Sequence, residues 1–276
     1  MPESENSAGV SNLSYSSVSA YLTCGRYWKY RYLDHIPATV APALVFGTAF
    51  HNTVETYIRN MAQSGQSAGL VEIWEDEWPA VLEKEGDRIS WGDGSPDALL
   101  AEGTRILQAL GVVQVVNAVT PLVDPDGHVH IEDFVKMEIP GVPVPIVGYI
   151  DIINSDGVPG DFKTASGLWS EKSALNELQP LFYLAALEQG GHQGNPEMRF
   201  RYYVFTKTDP AKAQVIETRR TRGEVNLLFD LVREVWRGIA AGVFVPNPRT
   251  WKCSPEYCEY WGICRGRALQ LELLRS

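Results

Sequence analysis

Three charged residues lie within or at the end of two neighbouring apolar runs. In the stretch "VGYIDIINSDGVPGDFKTASG", Asp151 lies inside the first run, and Asp161 and Lys163 lie at the end of the second. The Asp156-Gly157 pair between them is typical of a hairpin turn, so both runs are predicted to be strands. Charged side chains inside strands cost free energy unless a partner compensates them. We therefore expect the three charges to bind something.

The residue types indicate what that partner is. Because side chains alternate along a strand, Asp161 and Lys163 share one face. Carboxylate oxygens suit Mg²⁺ or Mn²⁺. Such an ion lowers the pKa of a bound water and neutralises charge on a phosphate, while a neighbouring lysine can orient the phosphate and the water. The pattern predicts a metal-dependent site that cleaves phosphodiester bonds.

The cysteines predict a second metal site. Cys24 lies near the start of the chain, and Cys253, Cys258 and Cys264 lie in "CSPEYCEYWGIC". The start of the chain is polar and acidic with no secretion signal, so disulfides are not expected and a thiolate metal site is favoured. Spacing alone leaves two alternatives open, a four-cysteine zinc ion and a [4Fe–4S] cluster.

The elements that must position these residues follow from hydrophobic periodicity. Residues 1–13 are predicted to be a disordered leader, and residues 14–276 a single domain with a helical insert over residues 64–120. The predicted order is helices, strands, helix, strands, helix, which indicates an α/β sheet with helices packed on it. The predicted strands cover residues 129–139, 144–153, 158–164, 199–207 and 213–220, and the predicted helices include 43–61, a helix from near Pro180 and 223–241.

Composition limits the partners. The net charge of −10 argues against a protein whose whole surface binds nucleic acid, although residues 199–222 form a local basic run. That run fits a phosphate-binding track and a solvated strand face equally well. No apolar run approaches the roughly 20 residues that cross a membrane, so we expect a cytoplasmic protein without a membrane partner.

The motifs together resemble a known family. "VGYID" followed by "GDFKT" resembles the Gly-x-x-Asp and (Asp/Glu)-x-Lys motifs of PD-(D/E)XK nucleases, while "FGTAFH" and "QPLFY" resemble motifs of the RecB-type branch. The resemblance implies a restriction-endonuclease-like core sheet flanked by helices. It also implies that Glu55 assists the site, that Lys163 is catalytic, that Gln179 and Tyr183 support the substrate, and that the metal ligands are His51, Asp151 and Asp161.

The cysteine arrangement resembles the iron–sulfur members of the same branch, such as the AddB nuclease domain and the small CRISPR-associated exonuclease of RecB type. This implies a [4Fe–4S] cluster that joins the N- and C-terminal regions, with Gly25 standing where proline is common. The aromatic rings and cations around the cysteines are predicted to bind single-stranded DNA. For the rings, the alternative is that they pack around the cluster and keep water out. The cations are Arg26, Lys29, Arg31, Lys252, Arg265 and Arg267.

The resemblance implies an Mn²⁺- or Mg²⁺-dependent DNA exonuclease that degrades single-stranded DNA from 5′ to 3′ in DNA repair, phage recombination or CRISPR spacer acquisition. The sequence has no phosphate-binding loop of an ATP-driven motor, which favours single strands, free ends or flaps as substrates. The alternative is a catalytically silent iron–sulfur subunit that binds DNA or a partner protein. Polarity, pathway, recombination or CRISPR adaptation partners and oligomeric state stay open.

Overall fold

A computed structural model of the chain describes residues 9–192 and 194–266. The strands are β1 (Ile131–Met137), β2 (Ile146–Ile153), β3 (Pro159–Ala165), β4 (Arg199–Thr206) and β5 (Ala213–Arg219). The helices are α1 (Tyr15–Thr23), α2 (Gly25–Trp28), α3 (Pro42–Ser64), α4 (Leu70–Glu85), α5 (Pro96–Gln108), α6 (Leu110–Ala118), α7 (Glu171–Asn176), α8 (Gln179–Gln189) and α9 (Arg222–Ala240).

The five strands form one mixed sheet in the order β1-β2-β3-β4-β5. β2 and β3 are antiparallel, as are β4 and β5, whereas β3 and β4 are parallel. A parallel pair needs a crossover connection, and α7 and α8 provide it between β3 and β4. The predicted α/β sheet with flanking helices is therefore confirmed.

The hairpin between β2 and β3 has the predicted turn. The Gly157 amide donates to the Asn154 carbonyl at 2.8 Å, and Gly157 has a φ of +77°. A side chain there would also come within 2.5 Å of the Gly194 carbonyl oxygen. Asn154 holds the turn further, because its amide donates to the Val158 carbonyl and its oxygen accepts from the Tyr203 hydroxyl. The register of both strands is thereby fixed.

Helices cover both faces of the sheet. On one face, Phe50 of α3 packs against Phe205 of β4, and Phe162 of β3 belongs to the same buried core. Because side chains alternate along β3, the neighbours of Phe162, Asp161 and Lys163, point to the other face. That face carries α8, so the sheet orients these two charges toward the helix that begins at residue 179.

The predicted helical insert over residues 64–120 contains three helices, α4, α5 and α6. Ala109 has an extended backbone, which separates α5 from α6. α4, α5 and α6 contribute Trp74, Ile106 and Val112 to the same core as α3. Within residues 9–192 and 194–266, no single helix is long and apolar enough to span a membrane; α5 and α6 reach that composition only as a pair bent by 67°.

The chain divides into two compact units. The larger unit contains residues Val40–Val135 and Gly148–Val225, and the smaller contains the chain up to Thr39, residues Lys136–Val147 and the chain from Asn226. In the smaller unit, Leu13 is fully buried and pairs with Ile146. Leu13, the last residue of the predicted leader, therefore gains both backbone pairing and burial. Residues 1–8 of the predicted leader lie outside the described residues.

In the smaller unit, α1 begins with a reciprocal capping box between Ser14 and Ser17. Trp28 is fully buried and stacks on Phe244, with ring centroids 5.6 Å apart. Gly25 lies against the following backbone so closely that a Cβ atom would come 3.0 Å from the Val245 nitrogen. The absence of proline at position 25 follows from this contact, since a proline carries that Cβ.

We predict that Gly103→Ala destabilises the larger unit by about 1–3 kcal/mol, because overpacking a filled core displaces its neighbours. An added Cβ would lie 2.2 Å from the ring of the fully buried Trp74. Gly111→Ala is the matched control, since nothing lies within 4 Å of its added Cβ in α6. Chemical denaturation measures both variants. Equal stability of Gly103→Ala and the unsubstituted protein would contradict the packing described for α4 and α5.

Candidate active site

Asp161 lies at the centre of a buried polar group. The residue is 1% exposed, and its Oδ2 lies 2.6 Å from the Lys163 ammonium. The Gln179 side-chain nitrogen donates to Asp161 Oδ1 at 2.6 Å, while Lys163 donates to the Gln179 side-chain oxygen at 3.0 Å. Gln179 therefore bridges the two charged residues, and the structure brings the Asp-x-Lys and Gln-x-x-x-Tyr motifs into direct contact.

α8 presents Gln179 and Tyr183 on one face. Pro180 occupies the first turn, where a missing amide hydrogen costs nothing. The second hydrogen of the Gln179 amide is donated to the Tyr183 hydroxyl at 3.0 Å, one helical turn away. Burial raises the pKa of Tyr183, so this hydroxyl stays protonated. Gly148 of the Gly-x-x-Asp motif leaves room for the tyrosine ring, which would lie 3.3 Å from an added Cβ.

His51 and Asp151 meet beside this group. His51 Nδ1 of α3 lies 3.4 Å from Asp151 Oδ2, and the same oxygen accepts from the Phe162 amide at 2.8 Å. Glu55 lies one turn after His51 and is 7% exposed. One ligand atom from each of His51, Glu55 and Asp151 lies within 4.8 Å of the others. The metal-binding roles predicted for His51, Asp151 and Asp161 stay predictions, and Glu55, which the resemblance implies assists the site, lies in the same cluster as His51 and Asp151.

Burial sets the electrostatics of the site. It raises the pKa of Asp151 well above its usual range, and the charge of Asp161 adds to the rise. Although 26% of the His51 side chain is reachable by solvent, desolvation of the ring lowers its pKa to about 4, which leaves a neutral imidazole. Burial opposes the charged form of Lys163, but Asp161 and Asp151 outweigh it and raise the lysine pKa.

These residues fit a hard divalent cation. Burial, with repulsion from Glu132 and Asp151, raises the pKa of Glu55 to about 9. Among the described residues, the buried Glu55 Oε1 has no hydrogen-bond partner. Several carboxylates therefore share a desolvated site with Lys163 and with Arg59, whose charge opposes the rise in the pKa of Glu55, and an additional positive charge would lower their electrostatic energy further. A neutral imidazole nitrogen and carboxylate oxygens are ligands that Mn²⁺ and Mg²⁺ accept.

Two contributors to the site were missed by sequence reasoning. Glu132 interacts with Glu55 and has a left-handed backbone, with a φ of +58°, that strand periodicity does not reveal. Arg220 is 5% exposed and donates to the carbonyls of three residues just before α8, namely Ala174, Leu175 and Glu177. Its position in a basic run suggested a surface role, whereas its burial fixes the segment that precedes Gln179.

The basic run over residues 199–222 is largely paired with carboxylates. Arg201 contacts both Asp156 and Glu217. Burial acts to lower the pKa of Arg201, but these two contacts outweigh it and raise that pKa. Further pairs are Arg199–Glu217, Lys207–Glu102, Arg219–Glu197 and Arg222–Glu188. Of the two interpretations of this run, the structure favours a solvated, charge-compensated strand face over a track for phosphates.

The four cysteines line one cavity in the smaller unit. The Asn247 amide donates to Cys24 Sγ at 3.4 Å, and burial raises the pKa of the Cys258 thiol. None of the four forms a disulfide within the described part of the chain. Thiols that line one cavity, one of them accepting from a backbone amide, are the ligand type that both zinc and iron–sulfur groups require.

The aromatic residues around this cavity divide into two sets. Tyr27 and Tyr260 are buried and pack against each other, with ring centroids 5.4 Å apart, which suits exclusion of water. Trp251 is 73% exposed and contacts the half-exposed Tyr257. The cations Arg26, Lys252 and Arg265 line the same cavity, whereas Arg267 lies outside the described residues. Packing thus accounts for the first set of rings and leaves the second free to bind a ligand.

Comparison with known proteins gives a family match and a similar fold. A family model described as the PD-(D/E)XK nuclease superfamily matches residues 12–265. A "putative exonuclease" from Eubacterium rectale has a similar fold, with a TM-score of 0.55, 10% identity and coverage of 92% of this chain and 91% of that one. The structure of SSO0001 gives a TM-score of 0.34 and 13% identity, over 83% of this chain and 87% of that one. A comparison with curated proteins gives no match.

We predict that Asp151→Ala and Asp161→Ala each weaken Mn²⁺ binding by roughly tenfold or more, because each removes a carboxylate from the site. Calorimetric titration with Mn²⁺ measures the change. Asp156→Ala is the matched control, since Asp156 lies in the turn of the same hairpin and pairs with Arg201. Unchanged Mn²⁺ affinity in both active-site variants would contradict the proposed cation site.

Proposed function

The chain belongs to the PD-(D/E)XK nuclease superfamily, and from its site we propose that it is a metal-dependent deoxyribonuclease of the RecB type. The observation that carries the proposal is the hydrogen-bonded group of Asp161, Lys163 and Gln179. It lies in the same unit as the pair formed by His51 and Asp151. Metal-assisted phosphodiester hydrolysis uses a cation site, and a fixed ammonium can further stabilise charge on the phosphate; these residues supply both kinds of group.

Each residue has a chemical role in this proposal. His51, Asp151 and Asp161, assisted by Glu55, would hold Mn²⁺ or Mg²⁺. Such an ion, when bound, would lower the pKa of a water and offset charge on the phosphate oxygens. Lys163 stays protonated and orients the phosphate and the attacking water, while Gln179 holds the Lys163 ammonium beside Asp161. Tyr183 keeps Gln179 in place and supports the substrate strand.

The finer assignment rests on the RecB-type motifs. Their resemblance implies an exonuclease that degrades single-stranded DNA from 5′ to 3′, acting in DNA repair, phage recombination or CRISPR spacer acquisition. The protein of similar fold from Eubacterium rectale is described as a "putative exonuclease", which is consistent with the proposed action at DNA ends. We assign residues 14–276 to one nuclease domain in which residues 64–120 are an insert. Partners would be DNA with free ends and proteins of recombination or CRISPR adaptation.

We further propose that Cys24, Cys253, Cys258 and Cys264 hold a [4Fe–4S] cluster. Their shared cavity supports this proposal, as does the amide donated to Cys24 Sγ, because such hydrogen bonds stabilise the sulfur ligands of clusters. The cluster would join the first helices to the C-terminal segment within the smaller unit. The exposed Trp251 and Tyr257, with nearby cations, then offer stacking and phosphate contacts to a single strand.

The rival function is a catalytically silent subunit that binds DNA or protein through the same fold. It requires a broken catalytic group, yet Asp161, Lys163 and Gln179 are all present and in contact. We therefore place catalysis first, and the cleavage experiment below separates the two functions.

We predict that Lys163→Met lowers the cleavage rate of end-labelled single-stranded DNA with Mn²⁺ by about 100-fold or more, since it removes the charge that orients phosphate and water. Mn²⁺ binding should persist, and EDTA should abolish cleavage by the unsubstituted protein. Lys172→Met, on the exposed face of α7, is the matched control. Full activity of Lys163→Met would contradict the role of Lys163 in orienting the phosphate and the attacking water. A protein that binds DNA yet never cleaves it would favour the silent subunit.

We predict that the anaerobically purified protein contains iron and absorbs broadly near roughly 400 nm, as thiolate-bound clusters do. Cys258→Ser should lose the iron and melt at a lower temperature, because the cluster no longer joins the chain segments. Glu256→Ala, an exposed neighbour, should keep both properties. One equivalent of zinc without iron would instead identify a Cys₄ zinc site.

A further inference from the structure

A second group of metal-ligating side chains lies outside the catalytic and cysteine sites. His128, His130 and Asp133 each offer a ligand atom within 4.8 Å of the other two. His128 Nε2 lies 3.0 Å from Asp133 Oδ1, and His130 Nδ1 contacts Asp133 Oδ2. The two imidazole rings are nearly perpendicular, with centroids 4.8 Å apart. All of these residues belong to the larger unit.

The local backbone explains how these side chains converge. A tight turn, closed by the Gly127 amide on the Asp124 carbonyl, leads into the strand segment. Val129 is buried, so His128 and His130 point to the opposite side. Glu132 then adopts a left-handed backbone, which interrupts the alternation. As a result, the next residue along, Asp133, lies against both histidines.

We propose that His128, His130 and Asp133 bind a transition-metal ion of the zinc class. Two imidazole nitrogens and one carboxylate oxygen are a donor set that zinc accepts, with water in the fourth position. Ligand atoms of a tetrahedral zinc site lie roughly 3.3 Å apart for bonds near 2.0 Å, close to the observed approach of His128 to Asp133.

Asp124 supports this assignment from behind His130. Its Oδ1 lies 3.0 Å from His130 Nε2, on the side of the ring opposite Asp133. Nε2 makes no hydrogen bond among the described residues, but a carboxylate at this distance attracts the ring proton to Nε2 and leaves Nδ1 as the metal-binding nitrogen; carboxylates lie in this place behind many zinc-bound histidines. The ion would thereby connect the turn at Asp124–Gly127 to the start of β1.

The test uses the purified full-length protein with its cysteine site as isolated, in millimolar Mg²⁺ and with Asp151→Ala to suppress binding at the catalytic site. Zn²⁺ titration should reveal one bound equivalent in this protein. The affinity for that equivalent should fall roughly 100-fold in His128→Ala and in Asp133→Asn. His128 is exposed, so its replacement is not expected to disturb the fold. His35→Asn, at another exposed histidine, is the matched control.

Two further readouts separate this site from the cysteines. Bound Co²⁺ should give visible d–d bands without the thiolate charge transfer that cysteine ligands produce. Zn²⁺ at about 100 times its Kd should raise the melting temperature by roughly 5 °C, and this shift should vanish in His128→Ala. Zinc binding that is the same in His128→Ala and Asp133→Asn as in the control would overturn the proposal, as would no binding at all. The outcome is independent of nuclease activity.

Discussion

The structure around the catalytic residues depends on one constraint, a carboxylate almost fully removed from water. Asp161 is 1% exposed and lies near a second buried carboxylate, Asp151. Buried like charges are costly unless cations and hydrogen-bond donors surround them. Lys163 and Gln179 meet part of this need, and a divalent cation would meet the rest. The same low-dielectric setting strengthens each interaction with a phosphate, so what makes the site costly to fold also suits it to catalysis.

Several elements of the fold together surround the buried Asp161 carboxylate with the groups it needs. The alternation of β3 places Phe162 in the apolar core and its charged neighbours on the opposite face. The parallel β3–β4 pair requires a crossover, and that crossover provides α8 with Gln179 at its first position. Arg220, far away in sequence, satisfies the carbonyls that precede α8. Loss of any of these contacts would move Gln179 relative to Asp161.

The smaller unit brings a cysteine from the start of the chain close to the three cysteines near its end. Gly25 permits close approach of the backbone at residues 244 and 245, and Trp28 stacks on Phe244 beside it. Tyr260 donates a hydrogen bond to the Ile36 carbonyl. These contacts already bring Cys24 to the cavity lined by the other cysteines, so a metal group would add to an interface that packing has formed.

The sequence by itself determined the five strands, the hairpin turn and the helix at residue 179, because these depend on local periodicity and turn residues. It also identified the acidic pair, since charges within apolar runs are visible without coordinates. Only the tertiary structure placed Glu132 beside Glu55, paired the arginines of the basic run, and buried Arg220. These outcomes depend on which side chains distant in sequence meet in the fold, and a local sequence pattern does not encode that. The position of Glu132 depends further on its left-handed backbone, which the pattern of a strand does not reveal.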